Sequence, residues 1–296
     1  ILNTMILGIH VSKSNDIMNF KTVKDISEAI ERDTKKLGLN AAQIFTFGPQ
    51  IIAPNKVNYE AVIESSKDID LTVHSAYPTV GVWKVNRDNK NEAKSKRYID
   101  NLISQLVSCK KINAWGLVVH FAKIFPDIAA ETMKLLKPMV KKTGVKLLIE
   151  MVASKADPNQ TYETPEKIDN LTTLIGYNED WWGWCVDTAH LWGAGVDIQS
   201  YQSMKKWLAD LTHKKKILLF HLNGSSANRG SGKDKHEIAF SPDDSIWGKI
   251  DPAKSGAYAI VEFALKYDIP IICEINRGNA KECIRSLNKL KELSGV

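Results

Sequence analysis

Cysteine is scarce in this sequence, and long apolar runs are missing from it. The four cysteines among 296 residues show no CxxC spacing, so neither a cysteine zinc site nor a small disulfide-stapled domain is predicted. No uncharged run approaches the roughly 18 apolar residues that a membrane span needs, and no signal-peptide pattern opens the chain. These absences predict an intracellular protein of the cytoplasm or nucleus that has no membrane partner.

A strong charge of one sign is also absent. Forty Lys and Arg residues against 34 Asp and Glu leave a net charge of +6, and only six of the basic residues are Arg. A mildly basic chain permits a nucleic-acid partner without requiring one. The composition, 44% hydrophobic and 25% charged, is typical of a globular protein. The abundance of Lys, Asn and Ile fits an AT-rich genome, such as that of a microbe or a large DNA virus.

Short apolar runs alternate with amphipathic stretches along the whole chain. Eight runs rich in β-branched residues predict strands at 5–11, 41–47, 70–74, 115–121, 145–151, 183–187, 216–222 and 269–275. Stretches with 3.6-residue periodicity predict helices at 23–37, 89–111, 128–140, 165–175, 201–211, 252–266 and 280–293. Continuous hydrophobicity is typical of parallel strands buried on both faces, so we predict an α/β protein built as a single (β/α)8 TIM barrel. An open, doubly wound sheet is the alternative.

The connections between these elements indicate how the chain is organised. No linker rich in Gly, Ser or Pro divides residues 1–296, which are predicted to form one domain that acts as a monomer. Two long polar segments, 75–90 and 223–249, follow predicted strands. In a barrel such loops build the face at the carboxyl ends of the strands, where active sites lie.

Ionisable side chains recur at the predicted strand ends and in the loop after the seventh strand. They are five histidines and four carboxylates, namely His74, His120, Glu150, Asp187, His190, His221, Asp234, His236 and Glu274. Because parallel barrel strands end at one mouth, these side chains are predicted to converge. Clustered carboxylates would repel one another, whereas divalent cations would stabilise them and take neutral imidazoles as ligands. We therefore predict a metal site at the barrel mouth.

The types of ligand narrow the choice of metal. Imidazole nitrogen and carboxylate oxygen without thiolate suit Zn, Mn or Fe(II), and zinc is preferred for closely spaced hydrolytic sites. Nine ligands exceed the needs of one ion, so two or three ions are expected, particularly if a carboxylate bridges. No organic cofactor is predicted.

Several of these residues stand in short motifs. The motifs are Gly8-Ile-His-Val-Ser12, Val73-His74 with Tyr77, Val186-Asp-Thr-Ala-His190, His221-Leu-Asn223, Asp234-Lys-His236 and Cys273-Glu274. In this order, and over nearly the whole chain, they resemble the endonuclease IV type of apurinic/apyrimidinic (AP) endonuclease, AP endonuclease family 2. The resemblance implies a zinc-dependent DNA-repair barrel.

The resemblance also implies three zinc ions per chain. Their ligands would be His74, His120 and Glu150 for the first ion, Glu150, Asp187, His221 and Glu274 for the second, and His190, Asp234 and His236 for the third. Glu150 and Glu274 would be the catalytic carboxylates, because they hold the ions that carry the attacking hydroxide. All nine ligand positions are present.

The implied reaction is hydrolysis of DNA on the 5′ side of an abasic site, which leaves a 3′ hydroxyl and a 5′ deoxyribose phosphate in base excision repair. The same centre would trim blocked 3′ ends. The enzyme would bend the duplex and extrude the abasic nucleotide, which costs less where no base is stacked or paired. The expected partner is therefore double-stranded DNA that contains abasic sites.

Contacts with DNA are predicted from the mouth loops. The candidate residues are Tyr77, Gln50, Lys84, Arg87, Arg229, Lys233 and Lys235. Tyr77 matches an aromatic residue that the family inserts into DNA at the lesion, and Gln50 lies near the position of an inserted Arg. The basic side chains would contact phosphates.

The sequence departs from the family pattern at three places. Gly224 stands where an Asp usually follows His-Leu-Asn, and Phe121-Ala122 stands where Pro-Gly often follows the residue matched by His120. Both changes would alter the support of the ligands without removing one. Gln50 in place of the inserted Arg would alter lesion recognition.

Two other functions fit parts of the pattern. A sugar isomerase or epimerase on a similar barrel would use a carboxylate-dominated site for one or two metals and a small closed pocket, which the five histidines and the Asp234-Lys-His236 pair argue against. A noncatalytic DNA- or metal-binding protein on the same scaffold would be expected to lack at least one of the ligands, and none is lost from the sequence.

Overall fold

The fold is a closed barrel of parallel strands surrounded by helices. The computed structural model describes residues 4–11, 25–50, 57–85, 92–121, 123–154, 157–274 and 280–293. The strands are β1 (Leu7–Val11), β2 (Ala41–Phe45), β3 (Asp70–His74), β4 (Gly116–His120), β5 (Lys146–Glu150), β6 (Trp182–Asp187), β7 (Ile217–His221), β8 (Gly224–Ser225), β9 (His236–Glu237) and β10 (Ile271–Cys273). The barrel order is β1-β10-β7-β6-β5-β4-β3-β2, and β8 pairs with β9 in a separate sheet. The predicted TIM barrel is confirmed, and the open sheet is wrong.

Helices connect most of the strands on the outside of the barrel. They are α1 (Ile26–Asp33), α2 (Tyr59–Ser65), α3 (Glu92–Lys111), α4 (Pro126–Thr143), α5 (Pro165–Ile175), α6 (Thr188–Ala194), α7 (Tyr201–Asp210), α8 (Gly256–Tyr267) and α9 (Ala280–Leu293). The periodicity does not predict α2 and α6, because seven residues are too few for an apolar face to repeat. Within the described ranges, no helix is both long and apolar enough to cross a membrane.

The alternation of side chains along each strand determines where the candidate site lies. Small and medium side chains form an apolar cluster from alternate strand positions, and its members are Ala41, Val118, Leu148, Cys185, Leu219 and Ile272. Two residues further along β4, β5 and β7 stand His120, Glu150 and His221. Because side chains two apart in a strand share a face, the residues after the apolar cluster point to the same side of the sheet at its carboxyl end. The intervening residues pack with the helices in the larger core.

Candidate metal centre

Glu150 lies at the centre of the ligand cluster. It ends β5 and is fully buried. Its Oε2 atom is 3.3 Å from Nε2 of His74 and 3.3 Å from Nε2 of His120, and its Oε1 atom is 3.0 Å from Nδ1 of His221. The two oxygens therefore face two different groups of ligand atoms, as a bridging carboxylate requires.

The first and second ligand groups share this carboxylate. His74, His120 and Glu150 each offer an atom within 4.8 Å of the others, and so do Glu150, Asp187, His221 and Glu274. In the second group, Nδ1 of His221 is 3.4 Å from Glu274 Oε2 and 3.8 Å from Asp187 Oδ2. Each group therefore brings the predicted ligand atoms close enough together to hold a metal ion.

The third group lies beside Asp187. Asp187, His190 and His236 offer atoms within 4.8 Å of one another. Asp234 completes the group, because its two oxygens are 3.2 Å from Nε2 of His190 and 3.0 Å from Nε2 of His236. Asp187 Oδ2 is 3.6 Å from the same nitrogen of His236. The third predicted ligand set is therefore also assembled.

Backbone carbonyls orient two of the imidazoles. Nδ1 of His74 lies 2.8 Å from the carbonyl oxygen of Ser75, and Nδ1 of His190 lies 2.6 Å from that of Met151. A carbonyl oxygen only accepts, so each ring must carry its proton on Nδ1 and present Nε2 to the cluster. This is the usual way in which a protein fixes the tautomer of a metal-binding histidine.

Asn223 links two members of the second ligand group, Asp187 and Glu274. Its Nδ2 donates to Oδ2 of Asp187 at 2.6 Å, and its Oδ1 accepts from the backbone N–H of Glu274 at 2.8 Å. It therefore fixes Asp187, the last residue of β6, relative to Glu274, which follows β10. The sequence motif contains Asn223, but nothing in the motif indicates this supporting role.

Electrostatics keep the buried carboxylates ionised. Burial raises the pKa of Glu150, but His221 and His120 outweigh that effect and hold it well below its usual range. Burial also raises the pKa of Glu274, and His221 is the main group that holds it well below the usual range. Both side chains are thus available as anionic ligands at neutral pH.

The pKa values of three of the imidazoles are shifted in the opposite direction, above their usual range. Burial lowers the pKa of His221, but Glu274 and Glu150 raise it to about 9. Burial opposes protonation of His236 as well, and Asp187 is the main group that raises its pKa to about 9. The pKa of His190 is likewise held well above its usual range, with Asp187 again the main charged neighbour. In the metal-free protein these protons supply the positive charge that ions would otherwise bring.

The donor set and its buried polar atoms fit divalent cations. Glu150 Oε2, His190 Nε2 and His236 Nε2 are buried without a hydrogen-bond partner in the part of the chain that the structure describes. Each faces other ligand atoms at ion-pair distances instead. Cations held by the first and third ligand groups would give these atoms the partners that buried polar atoms need.

A short hairpin carries Asp234 and His236 of the third ligand group. Strand β9 begins at His236 and pairs antiparallel with β8, so that Ser225 lies opposite His236. The loop between them crosses close to α6, where a Cβ atom on Gly193 would lie 2.9 Å from the carbonyl oxygen of Lys233. Glycine at this position therefore lets the loop approach the helix that carries His190.

Asp244 explains the departure at Gly224. Its buried carboxylate accepts hydrogen bonds from the backbone N–H groups of Ser225, Phe240, Ile246 and Trp247 at 2.8–3.2 Å. A Cβ atom on Gly224 would lie 2.6 Å from Cγ of Asp244. The carboxylate that braces this loop thus comes from Asp244, and it requires the neighbouring residue to have no side chain.

We expect Gly224→Ala to destabilise the protein by about 1–3 kcal/mol, because four hydrogen bonds hold the carboxylate that the new methyl group would displace. Chemical denaturation of the metal-free protein measures the change. Ser226→Ala, an exposed position in the same hairpin, should leave the free energy of unfolding within about 0.5 kcal/mol of the wild type. Equal stability of the two variants would contradict this account of Gly224.

The predicted DNA-contacting residues are only partly gathered at the mouth. Tyr77 is 41% exposed, and its ring centroid lies 5.4 Å from that of His120. Its backbone N–H donates to the carbonyl oxygen of Pro49 at 2.9 Å, which joins the Tyr77 loop to the turn that carries exposed Gln50. Tyr77 begins a 3-10 helix, Tyr77–Lys84, where the sequence predicts an irregular loop. Arg87 lies outside the described residues.

The basic side chains differ in their surroundings. Lys84, Lys233 and Lys235 are exposed. Arg229 instead forms an ion pair with Asp197, in which Nη1 lies 3.4 Å from Oδ2. Its guanidinium also lies over the ring of Trp192, so its side chain is held by contacts within the protein.

Lys123 is a basic residue near the ligands that the sequence does not single out. A cavity of about 550 Å³ opens beside the first ligand group, and its lining residues are Tyr77, Val80, Lys84, His120, Phe121, Lys123, Val152 and Asp234. Its floor is mainly apolar, and the two lysines are its cations. Periodicity gives no signal for Lys123, because its place at the cavity depends on how the chain turns after β4.

Together the fold and the site define a TIM barrel with a cluster of side chains at its mouth that could hold metal ions. The chain matches the AP endonuclease 2 family model, described as a xylose isomerase-like TIM barrel, over residues 32–293. A protein of African swine fever virus (isolate Tick/Malawi/Lil 20-1/1983) named probable AP endonuclease is 30% identical over 256 residues, which cover 82% of this chain and 81% of the relative. The chain therefore belongs to this family of AP endonuclease-like barrels.

Two solved structures have the same fold. The crystal structure of AsfvAP:AG matches with a TM-score of 0.81 and 26% identity, over 98% of this chain and 99% of that one. A D-tagatose 3-epimerase-like protein matches with a TM-score of 0.67 and 15% identity, over 98% of both chains. The second likeness shows the fold alone, so the barrel by itself does not separate a nuclease from a sugar epimerase.

Proposed function

We propose that this protein is a zinc-dependent DNA-repair endonuclease that hydrolyses the phosphodiester on the 5′ side of an abasic site. The observation that carries the proposal is the assembly of three ligand groups, in which Glu150 joins the first to the second and Asp187 lies between the second and the third. The viral relative named probable AP endonuclease supports the same reading.

Charge explains why such a centre suits a phosphodiester. Four carboxylates carry −4 and three zinc ions +6, so the loaded site would have a net charge of about +2. When bound, the ions supply Lewis-acid activation of water and stabilisation of the charge on phosphate. The chain itself contributes the bridging carboxylates, which keep the ligand groups close enough to act on one phosphate.

The mouth loops would select the substrate. Exposed Tyr77 stands next to His120 at the edge of the cluster, where an aromatic side chain would replace a base in the stack. An abasic nucleotide is the easiest to extrude, because no base has to be unstacked or unpaired. The products would be a 3′ hydroxyl and a 5′ deoxyribose phosphate, and the same geometry would trim blocked 3′ ends.

The proposal is tested with a duplex oligonucleotide that contains one abasic-site analogue, alongside an intact duplex. Bound metal is quantified by elemental analysis in the same preparation. We expect cleavage on the 5′ side of the lesion and about three zinc ions per chain. Cleavage of the intact duplex at the same rate would contradict the lesion specificity, and bound metal without any cleavage would contradict the nuclease.

A sugar isomerase or epimerase is the alternative, since a protein with the same barrel is named D-tagatose 3-epimerase-like. The third ligand group argues against it, because Asp234 and His236 extend the cluster beyond the one or two ions that such a reaction needs. Turnover of ketose sugars by a preparation that leaves abasic DNA intact would favour the isomerase. A chain that binds abasic DNA and metal without turnover would be a noncatalytic binding protein.

Lys84 and Lys123 are expected to bind backbone phosphates at the cavity beside the first ligand group. Replacing both by alanine should lower the slope of log affinity against log salt by about two, because each phosphate contact releases about one counterion. The KM for abasic duplex should rise much more than kcat changes. Binding titrations at several salt concentrations measure the effect.

The matched control changes the same charge at the other end of the barrel. Lys142 and Lys215 are exposed and precede β5 and β7 respectively, so they lie at the amino ends of the strands. Replacing this pair by alanine should leave the salt slope nearly unchanged. An equal loss in both double variants would mean that net charge, and not the cavity, determines DNA binding.

A further inference from the structure

A glutamine interrupts the apolar interior of the barrel. Gln43 is the third residue of β2, Ala41–Phe45, and is fully buried. It lies opposite His10 of β1 in the register of the sheet. A buried amide among apolar neighbours is costly unless its polar atoms are satisfied, so its partners indicate what it does.

The amide contacts two proposed metal ligands, His221 and Glu274, and the ring of His10 at once. Its Oε1 atom is 2.9 Å from Nε2 of His221, and its Nε2 atom donates to Oε1 of Glu274 at 2.8 Å. The same Nε2 lies 2.9 Å from Nδ1 of His10. His221 and Glu274 both belong to the second ligand group, so one side chain touches half of that group.

These contacts allow one arrangement of the hydrogen atoms. The carboxylate of Glu274 only accepts, so the amide must present its NH2 group to Glu274 and its oxygen to His221. His221 must then carry a proton on Nε2 to donate to this oxygen. Its Nδ1 atom is therefore the one that faces Glu150, Asp187 and Glu274 in the ligand group.

We propose that Gln43 is a positioning residue for the second ligand group: it fixes the tautomer of His221 and holds Oε1 of Glu274, so that Nδ1 of His221 and Oε2 of Glu274 face each other and would be available to a metal ion. The inference rests on the proposed function in so far as the second group binds a metal. It assigns to Gln43 a role outside the nine predicted ligands and outside the family resemblance. Outer partners of this kind typically change metal affinity by 10- to 100-fold.

The first test is Gln43→Met, which has a similar volume but no hydrogen-bonding group. Metal-loaded protein is titrated with a zinc chelator, and the zinc that remains is quantified. We expect one ion per chain to be lost at a free-zinc concentration about 10- to 100-fold higher than in the wild type. Unchanged retention of every ion in a folded variant would overturn the proposal.

Gln105→Met is the matched control. Gln105 is also a fully buried glutamine with three hydrogen bonds, to the backbone of Ala76 and to the side chains of Thr79 and Asn101. It touches none of the proposed ligands, so its variant should lose stability without losing an ion. Equal loss of zinc from both glutamine variants would mean that metal is released through general loosening of the barrel, which overturns the proposal.

Combining Gln43→Met with a second substitution shows which ligand group loses its ion. His236→Ala removes a ligand of the third group and should itself release one ion. Adding Gln43→Met to this variant should release one more, because the two changes act on different ions. If the double variant retains as many ions as His236→Ala alone, Gln43 does not act on the second group and the proposal fails.

Folding and function are separated by two further measurements. If Gln43→Met does not fold, Gln43→Glu preserves the acceptor for His221 and places a carboxylate against Glu274, which should weaken zinc retention by repulsion at neutral pH. Zinc retention is measured without DNA, so a selective loss in the variant supports the inference even if the wild type shows no incision. If the wild type incises abasic DNA and both Gln43 variants retain zinc as the wild type does, the inference about Gln43 is wrong and the proposed function still stands.

Discussion

Glu150→Gln is expected to reduce incision of abasic DNA by on the order of 10³-fold or more. Its two oxygens face different ligand groups, at 3.3 Å from His74 and His120 and at 3.0 Å from His221. A neutral amide has only one oxygen and cannot bridge two cations. Loss of several kcal/mol of transition-state stabilisation corresponds to a rate loss of about this size.

Metal content shows whether the loss has the proposed cause. The variant should retain the ion of the third group, because Glu150 is not among the residues of that group. It should lose zinc from the first two groups at a lower chelator concentration than the wild type. Incision at the wild-type rate would show that the hydroxide-bearing pair is wrongly assigned.

Glu179→Gln is the control for this substitution. Glu179 precedes β6 at the opposite end of the barrel and accepts from Nζ of Lys137 at 2.6 Å. Its replacement removes the charge from one partly exposed ion pair, which is worth at most about 1 kcal/mol, and affects a carboxylate that also accepts from Nε1 of Trp181 at 3.0 Å. The control variant should retain both its zinc and its activity, so a loss confined to Glu150→Gln isolates the effect of the bridge.

The ligands at the strand ends could be predicted because two simple patterns coincide. Leu148 and Leu219 belong to the apolar cluster inside the barrel, and Glu150 and His221 follow them by two residues. Strand period and parallel topology then bring them to one mouth. The order of elements was therefore sufficient to predict which ionisable side chains would meet.

Supporting residues could not be predicted in the same way. Gln43 is a polar residue within a buried apolar strand, which signals an unusual environment but not its partners, because these come from β7 and from the residue after β10. Asp244 braces Gly224 from 20 positions away through a loop without periodicity. Such contacts depend on the path of the backbone in three dimensions, which local patterns do not specify.

Removal of metal is expected to abolish incision without unfolding the barrel, and added zinc should restore it. The apolar clusters inside and outside the strands contain none of the ligands, so the core persists in the metal-free protein. The pKa values of His221 and His236 are raised to about 9, so both should be protonated at pH 7.5 before loading, and the pKa of His190 is held well above its usual range. Zinc binding should therefore release protons from these ligands, about two of them from His221 and His236, which calorimetry in buffers of different ionisation enthalpy measures.

As the pH rises, the Tm of the metal-free protein and the retention of zinc by the loaded protein should change in opposite directions. The pKa values of His221 and His236 are raised to about 9 from 6.5, so their ion pairs stabilise the metal-free fold fully below pH 6.5 and are lost as the pH rises through about 9. The Tm of the metal-free protein should thus fall between pH 7 and 10. Protons compete with zinc for the same nitrogens, so zinc retention should increase over that range until the histidines are neutral. If retention instead falls in parallel with the Tm of the metal-free protein, these histidines are not the ligands.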